Sequence, residues 1–548
     1  MKNSKILLSI VLLFGVSVSC KKELDIQNPN QPTVGSANSE TGIIALAQGG
    51  VYVNGFRSIN FGGFSGTFFG DGWGYHEIMG DVLAAEAANQ RINEIGCPNY
   101  VITDNGTKII NPNSPTSQLQ MLREVNINAN ASDNPIVYEW AYMYGLNTAC
   151  NNILGLVDGV AFTGDANVKK GVLKAWAYWW KGYAYARIGS IYYAGIINDA
   201  VSGTNNKYVT KEDIIKESNK NLDAAAAALN GLSIGGDYSK VLGALIPDFF
   251  QVGKGGPLTP DMWKRSINTL KARNILVNTR SKDMTPAQWS AILDLTNNGI
   301  KAEDLVFTGR SNATADFISA TGNTPASQAV GATNVGVSYR VSERFIQEFK
   351  TGDKRLENNF NNGPAAPWIG NSDRGNVFNT RWGMVGNGKG LTGVIFYGSR
   401  DVGAYELYLA STYEENEITK AEALINTGKI EEGLKVIDGI RTLQGAGLAP
   451  VAGTSLSLAA AKEELRRERR VVLPFRGLSF YDARRWGVID DISKGGGRTN
   501  CVVLDKFNIL NTKATINYNY LDYWDVPDNE LAYNVPGAGS APVVNPNK

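Results

Sequence analysis

Residues 465 to 487 read LRRERRVVLPFRGLSFYDARRWG. Arg466, Arg467, Arg469, Arg470, Arg476, Arg484 and Arg485 crowd this stretch, and Glu463, Glu464, Glu468 and Asp482 stand among them. Several of these acids sit three or four positions from an arginine, the spacing at which opposite charges meet on a helix. Ion pairing along and between helices is therefore the expected fate of the cluster, not a free basic face. The whole chain agrees: 53 Lys and Arg against 52 Asp and Glu over 548 residues give a net charge of +1. A nucleic-acid binder rests on a surplus of Lys and Arg over one surface, which this balance does not supply. A lone histidine, His76, excludes HExxH and His-rich metal sites.

Upstream of that stretch, helical periodicity dominates from Val137 onward. Leu173, Trp176, Trp180, Tyr183 and Arg187 recur at steps of three or four and share one stripe, best read as helix packing. Thr210 is a good N-cap for the segment that ends at Asn230-Gly231, and Pro260 and Thr285-Pro286 open two more helices. Ala404 to Asn426 and Lys429 to Leu443 read as a helical pair joined at Thr427-Gly428. Glu422, Ala423 and Leu424 before the turn, with Gly433, Leu434 and Ile437 after it, resemble a degenerate tetratricopeptide unit.

The amino terminus sets the expected compartment. Lys2 and Lys5 precede a mostly apolar run from Ile6 to Val18, which is too short to span a bilayer but suits a signal peptide over residues 1–19. The cut leaves Cys20 first, an arrangement that resembles the lipobox of bacterial lipoproteins. Removing Lys2 and Lys5 makes the balance 51 minus 52, or −1. Residues 20–40 are rich in Asn, Gln, Pro, Gly and Ser and read as a lipidated tether. Residues 41–548 read as one domain. Cys97, Cys150 and Cys501 match no disulfide or metal spacing and read as buried free thiols.

Two stretches, about 54–95 and 304–400, are rich in Gly, Asn and aromatics and read as long loops, where functional groups concentrate. GKGLTG at 388–393 fits GxGxxG but lacks a strand-to-helix setting, so its glycines read as turn residues.

The arginine-rich stretch is similar to the C-terminal signature of the SusD/RagB family. The lipobox, YEWAYMYGLNTACNNIL around Trp140 and Asn151, the helical pair containing Ile440-Arg441, and Trp524-Asp525-Val526-Pro527 with Glu530 and Asn534 follow the same order. Arg476 stands where the family carries glutamate, and Asp525 replaces the first proline of the closing motif. The resemblance implies a mostly α fold in which tetratricopeptide-like helix pairs form a scaffold and a loop-rich irregular part carries the ligand site. It further implies an outer-membrane lipoprotein facing the cell exterior, non-catalytic, that captures an oligomeric nutrient and delivers it to a SusC-like TonB-dependent transporter. A glycan is the favoured ligand. A peptide-binding member of the same family and a helical-repeat interaction scaffold are the alternatives, and glycoside hydrolysis by Asp71, Glu77 and Asp81 is disfavoured.

A glycan offers an apolar C–H face and a hydroxyl rim, so its binder needs aromatic platforms beside planar polar groups. Asp71, Trp73, Tyr75 and His76, interleaved with glycines, are the first candidates. The alternative is a Gly-rich loop that tucks Trp73 into the core, with His76 as a structural hydrogen-bond donor. Arg310, Asn312, Phe317, Trp368 and Trp382 are secondary candidates. No cofactor is expected; a structural calcium ion is conceivable, although no EF-hand spacing occurs.

Overall fold

The computed structural model describes residues 37–53, 59–61, 64–66, 73–85, 91–130, 133–201, 205–251, 253–310, 339–362, 378–384 and 406–546. Most of these are helical. The principal helices are α1 (Glu40–Gln48), α2 (Gly74–Met79), α3 (Pro135–Leu156), α4 (Ala166–Ile191), α5 (Lys211–Ala228), α6 (Gly236–Leu245), α7 (Pro260–Val277), α8 (Pro286–Asn297), α9 (Tyr413–Asn426), α10 (Ile430–Leu443), α11 (Leu458–Val472) and α12 (Ser479–Arg485). Each long helix packs on its neighbours in sequence: α3 on α4, α4 on α5, α7 on α8, α9 on α10. The mostly helical architecture expected from periodicity is what forms.

Local signals explain the helix starts. The Thr210 hydroxyl accepts from the Asp213 amide, Asn134 caps α3, and Thr285 with Gln288 forms a complete capping box ahead of Pro286. From Val172 onward α4 is buried on nearly all sides, so its tryptophans are core. Trp176, Trp179 and Trp180 meet Phe307 at ring-centroid distances of 5.6, 4.7 and 5.4 Å. Gly433 permits the close approach of α10 to α9, where an added Cβ would lie 2.9 Å from the Ala421 carbonyl oxygen.

One boundary differs from the sequence reading. The helix expected from Ala404 begins at Tyr413, where Thr412 is the N-cap, because Glu406–Tyr408 is drawn into a strand. Among the described residues the main apolar cluster extends from Ile43 to Val526, and a smaller one gathers Ala272, Leu276, Trp289, Ile292 and Ala423. Cys97, Cys150 and Cys501 are buried, as expected, and burial pushes the Cys150 thiol up to about 12 and Cys501 to about 11.

The strands needed below are β1 (Leu83–Ala85), β2 (Tyr100–Ile102), β3 (Lys108–Ile110), β4 (Thr308–Arg310), β5 (Tyr339–Val341), β6 (Phe360–Asn362), β7 (Phe378–Asn379), β8 (Trp382–Met384), β9 (Glu406–Tyr408), β10 (Arg498–Asp505) and β11 (Leu510–Asn517). They form antiparallel sheets in the orders β6-β8-β5-β1 and β7-β10-β11-β2-β3, plus the pair β9-β4.

The arginine-rich stretch does what its charge pattern predicts. Arg469 and Arg485 both grip Asp482, at 2.8 and 2.7 Å, and Arg485 also holds Glu422 at 2.5 Å. Arg484 donates to the carbonyls of Ser190 and Val277, near the C-terminal ends of α4 and α7, and to that of Asp522. Between α11 and α12 the chain turns sharply, with Phe475 and Gly477 both at positive φ, +57° and +67°. At Gly477 a Cβ would meet the Trp73 ring at 2.9 Å. Left-handed geometry alone costs a non-glycine residue about 1 to 2 kcal/mol. Gly477→Ala is thus expected to lose at least that much stability, read as a lowered denaturation midpoint; an unchanged midpoint refutes this role for the glycine.

Candidate ligand-binding site

Of the first candidates, Trp73, Tyr75 and His76 are core residues, and the sequence reading of them as an exposed platform is corrected. Trp73 is 3 % exposed, and Tyr75 and His76 are fully buried. Residues 74–79 form α2 against α12 instead of a loop. Trp73 lies under Gly477, with the Arg187 guanidinium 5.8 Å from its ring. The Tyr75 ring sits 6.5 Å from that of Tyr138. His76 Nε2 is 2.9 Å from Glu139, which accepts from Arg187 at 2.6 Å. Burial holds the His76 imidazole below its ordinary range against the opposing pull of Glu139. The glycines that flank these rings open room for close packing as readily as for exposure, and burial of large aromatic area decides between the two.

Of the carboxylates weighed for hydrolysis, the two described ones, Glu77 and Asp81, are likewise structural. Glu77 accepts from the Phe475 and Gly477 amides at 3.1 and 2.8 Å and so fixes the turn between α11 and α12. Burial raises its pKa to about 7. Asp81 is clamped by Arg344 at 2.8 Å, the Tyr518 hydroxyl at 2.7 Å and Ser342 at 2.8 Å. Burial pushes its carboxyl up, but Arg344 and Arg498 outweigh that and bring it down to about 2.

Above the Asp81 network lies the sheet β6-β8-β5-β1. Trp382 opens β8, opposite Asn362 on one side and Val341 on the other. It is half-buried, and its indole Nε1 finds no hydrogen-bond partner among the described residues. Next to it Arg381 reaches Glu343 with a 2.8 Å ion pair while its side chain stays 36 % exposed. An indole offers a stacking surface and a fixed guanidinium–carboxylate pair offers polar partners for hydroxyls, the two kinds of group a sugar requires, and here they come from consecutive residues. Arg310 lies on β4 opposite Glu406. Asp71, Asn312, Phe317 and Trp368, with the 388–393 glycines, lie outside the described residues.

Sequence reasoning missed a second cluster of aromatics. Tyr408 and Tyr413 line a cleft of about 250 Å³ with Lys254, Asp304, Glu414 and Gln444. The Arg476 guanidinium sits 4.1 Å from the Tyr408 ring centroid, a cation–π contact. Reading one helix from Ala404 hid Tyr408. Strands β4, β5, β6, β8 and β9 flank the long stretches 311–338, 363–377 and 385–405, so Trp382 and Tyr408 stand beside the second loop-rich region in sequence.

No protein-family model and no curated protein sequence matches the chain. Solved structures do. A SusD-like carbohydrate binding protein from Bacteroides fragilis is 14% identical, with TM-score 0.57 over 90% of this chain and 98% of that one. A SusD-like carbohydrate binding protein from Bacteroides vulgatus is 15% identical, with TM-score 0.54 over 92% and 98%. Surface glycan-binding protein A from Bacteroides fluxus is 14% identical, with TM-score 0.54 over 93% and 100%. The chain therefore has the SusD-like fold, in agreement with its C-terminal signature.

Proposed function

We propose that this chain is a non-catalytic, cell-surface glycan-binding lipoprotein of the SusD/RagB family, anchored to the outer membrane through Cys20 and delivering its ligand to a SusC-like TonB-dependent transporter. The observation that carries the reading is the fold, shared over about nine-tenths of the chain with solved proteins that are named for carbohydrate or glycan binding. The amino-terminal leader over residues 1–19, followed by Cys20, supports the surface location. Trp382, with Arg381 and Glu343, supports the ligand class. Trp382 would provide a face for the pyranose C–H surface, and Arg381 with Glu343 would supply polar atoms for the hydroxyl rim. Binding then consists of stacking and hydrogen bonding, with no bond made or broken.

The test is calorimetric titration of the soluble form beginning at Lys21 against a panel of polysaccharides, their oligomers and mixed peptides. Saturable binding to a glycan is expected, and Trp382→Ala should weaken it about tenfold or more, the loss of more than ~1 kcal/mol typical of a central aromatic anchor. Binding to peptides alone would replace the glycan reading with a peptide one. Undiminished affinity in Trp382→Ala would remove that residue from the site.

A further inference from the structure

The final Arg-Arg-Trp-Gly of the signature carries a side chain that the core does not explain. Among the described residues, Trp486 is half-buried and joins neither apolar cluster; the Arg485 guanidinium lies 4.6 Å from its ring centroid, which leaves the other side of the ring for a ligand. It lines a cleft of about 560 Å³ on the scaffold, with Trp289, Arg280, Lys282, Lys462 and Lys494. That volume lies within the range of small-molecule sites.

The charges of the lining do not cancel. Each of its acids is held by an arginine that also lines the cleft: Glu422 by Arg485 at 2.5 Å, Asp490 by Arg280 at 3.1 Å, and Glu463 by Arg466 at 2.8 Å. The same arginines reach back to Asp482, Asp522 and Glu348, and Arg469 and Arg470 share two of those acids. Lys282, Lys462 and Lys494 are exposed and have no carboxylate within 4.0 Å among the described residues. A surplus of three ammonium groups on one concavity is notable in a chain whose net charge is +1, because it is not an echo of general basicity.

We propose that this cleft is a second binding site, distinct from Trp382, that takes an anionic saccharide, an oligomer containing uronate residues. Trp486 meets the C–H face of a ring, and the three lysines meet carboxylates fixed on successive rings. An acidic peptide offers the carboxylates but no rigid C–H face for the indole, and so uses half of the arrangement. The sugar class rests on the glycan-binding reading above, whereas the demand for an anion rests on the lining alone.

The soluble form beginning at Lys21 is titrated with oligogalacturonate, hyaluronan oligosaccharides, polyglutamate and a neutral glycan that it binds. Lys282→Gln/Lys462→Gln/Lys494→Gln and Trp486→Ala are run beside it. A uronate oligomer should bind, weaken as salt rises, and lose tenfold or more in affinity in both variants, while neutral-glycan binding stays unchanged. The triple glutamine variant alters exposed positions only and keeps the test valid if Trp486→Ala fails to fold. Silence toward both uronates, equal affinity in the triple variant, or polyglutamate binding as tightly as the sugars overturns the proposal. Neutral-glycan binding lost in Trp382→Ala, with the cleft silent, leaves the first reading standing and removes only the second site.

Discussion

Asp482→Ala is expected to destabilise the protein by about 3 to 5 kcal/mol, the usual consequence of stripping one partner from a buried ion pair. Asp482 is 4 % exposed, and Arg469 and Arg485 are equally buried. Burial pushes its carboxyl up, yet the two guanidiniums outweigh that and hold it below the ordinary range. Among the described residues, alanine leaves Arg469 with no carboxylate and Arg485 with Glu422 alone. Asp482→Asn, which retains one acceptor, should recover part of the loss. Equilibrium denaturation measures both variants; a change under ~1 kcal/mol for Asp482→Ala would show that the cluster is dispensable.

Glu77 gives the second large effect, and its sign is set by burial. The carboxyl is raised from 4.5 to about 7 because desolvation outweighs the amides of Phe475 and Gly477. A group that holds its proton more tightly when folded contributes stability in full below its unfolded pKa, and that contribution is lost as pH rises through the folded value. Each pKa unit is worth about 1.4 kcal/mol, so the native chain should lose about 3 kcal/mol relative to Glu77→Gln between pH 4.5 and pH 8. The reading is the slope of the difference between the two proteins, because glutamine also weakens the turn at every pH. Parallel stability profiles would refute the assignment.

The parts legible in sequence were those written in local rules. The helix starts at Thr210, Pro260 and Thr285-Pro286, the aromatic stripe of α4 and much of the charge pairing of residues 463–485 depend on neighbours within a few positions, and all appear in the structure. The start of α9 was missed because β9 pairs with β4, about a hundred residues away in sequence, and no local signal announces such a partner. Trp73, Tyr75 and His76 failed for the same reason. What buries them is α3, α4 and the turn at Gly477, so exposure could not be read from the glycines beside them. Trp382 kept its place as a candidate, and Tyr408 was hidden by the misplaced helix.

Glu77 receives its amide hydrogen bonds from residues 398 and 400 positions further on. Contacts that distant close slowly, because the intervening chain must be gathered first. The order in which this chain is made is therefore not the order in which it can be assembled. The segment around α2 can meet α3 and α4 early, but its clasp with the turn between α11 and α12 waits until nearly the whole polypeptide exists. The final clasp of the fold cannot fasten until residues 475 to 477 have been made, so a chain interrupted before them lacks it altogether.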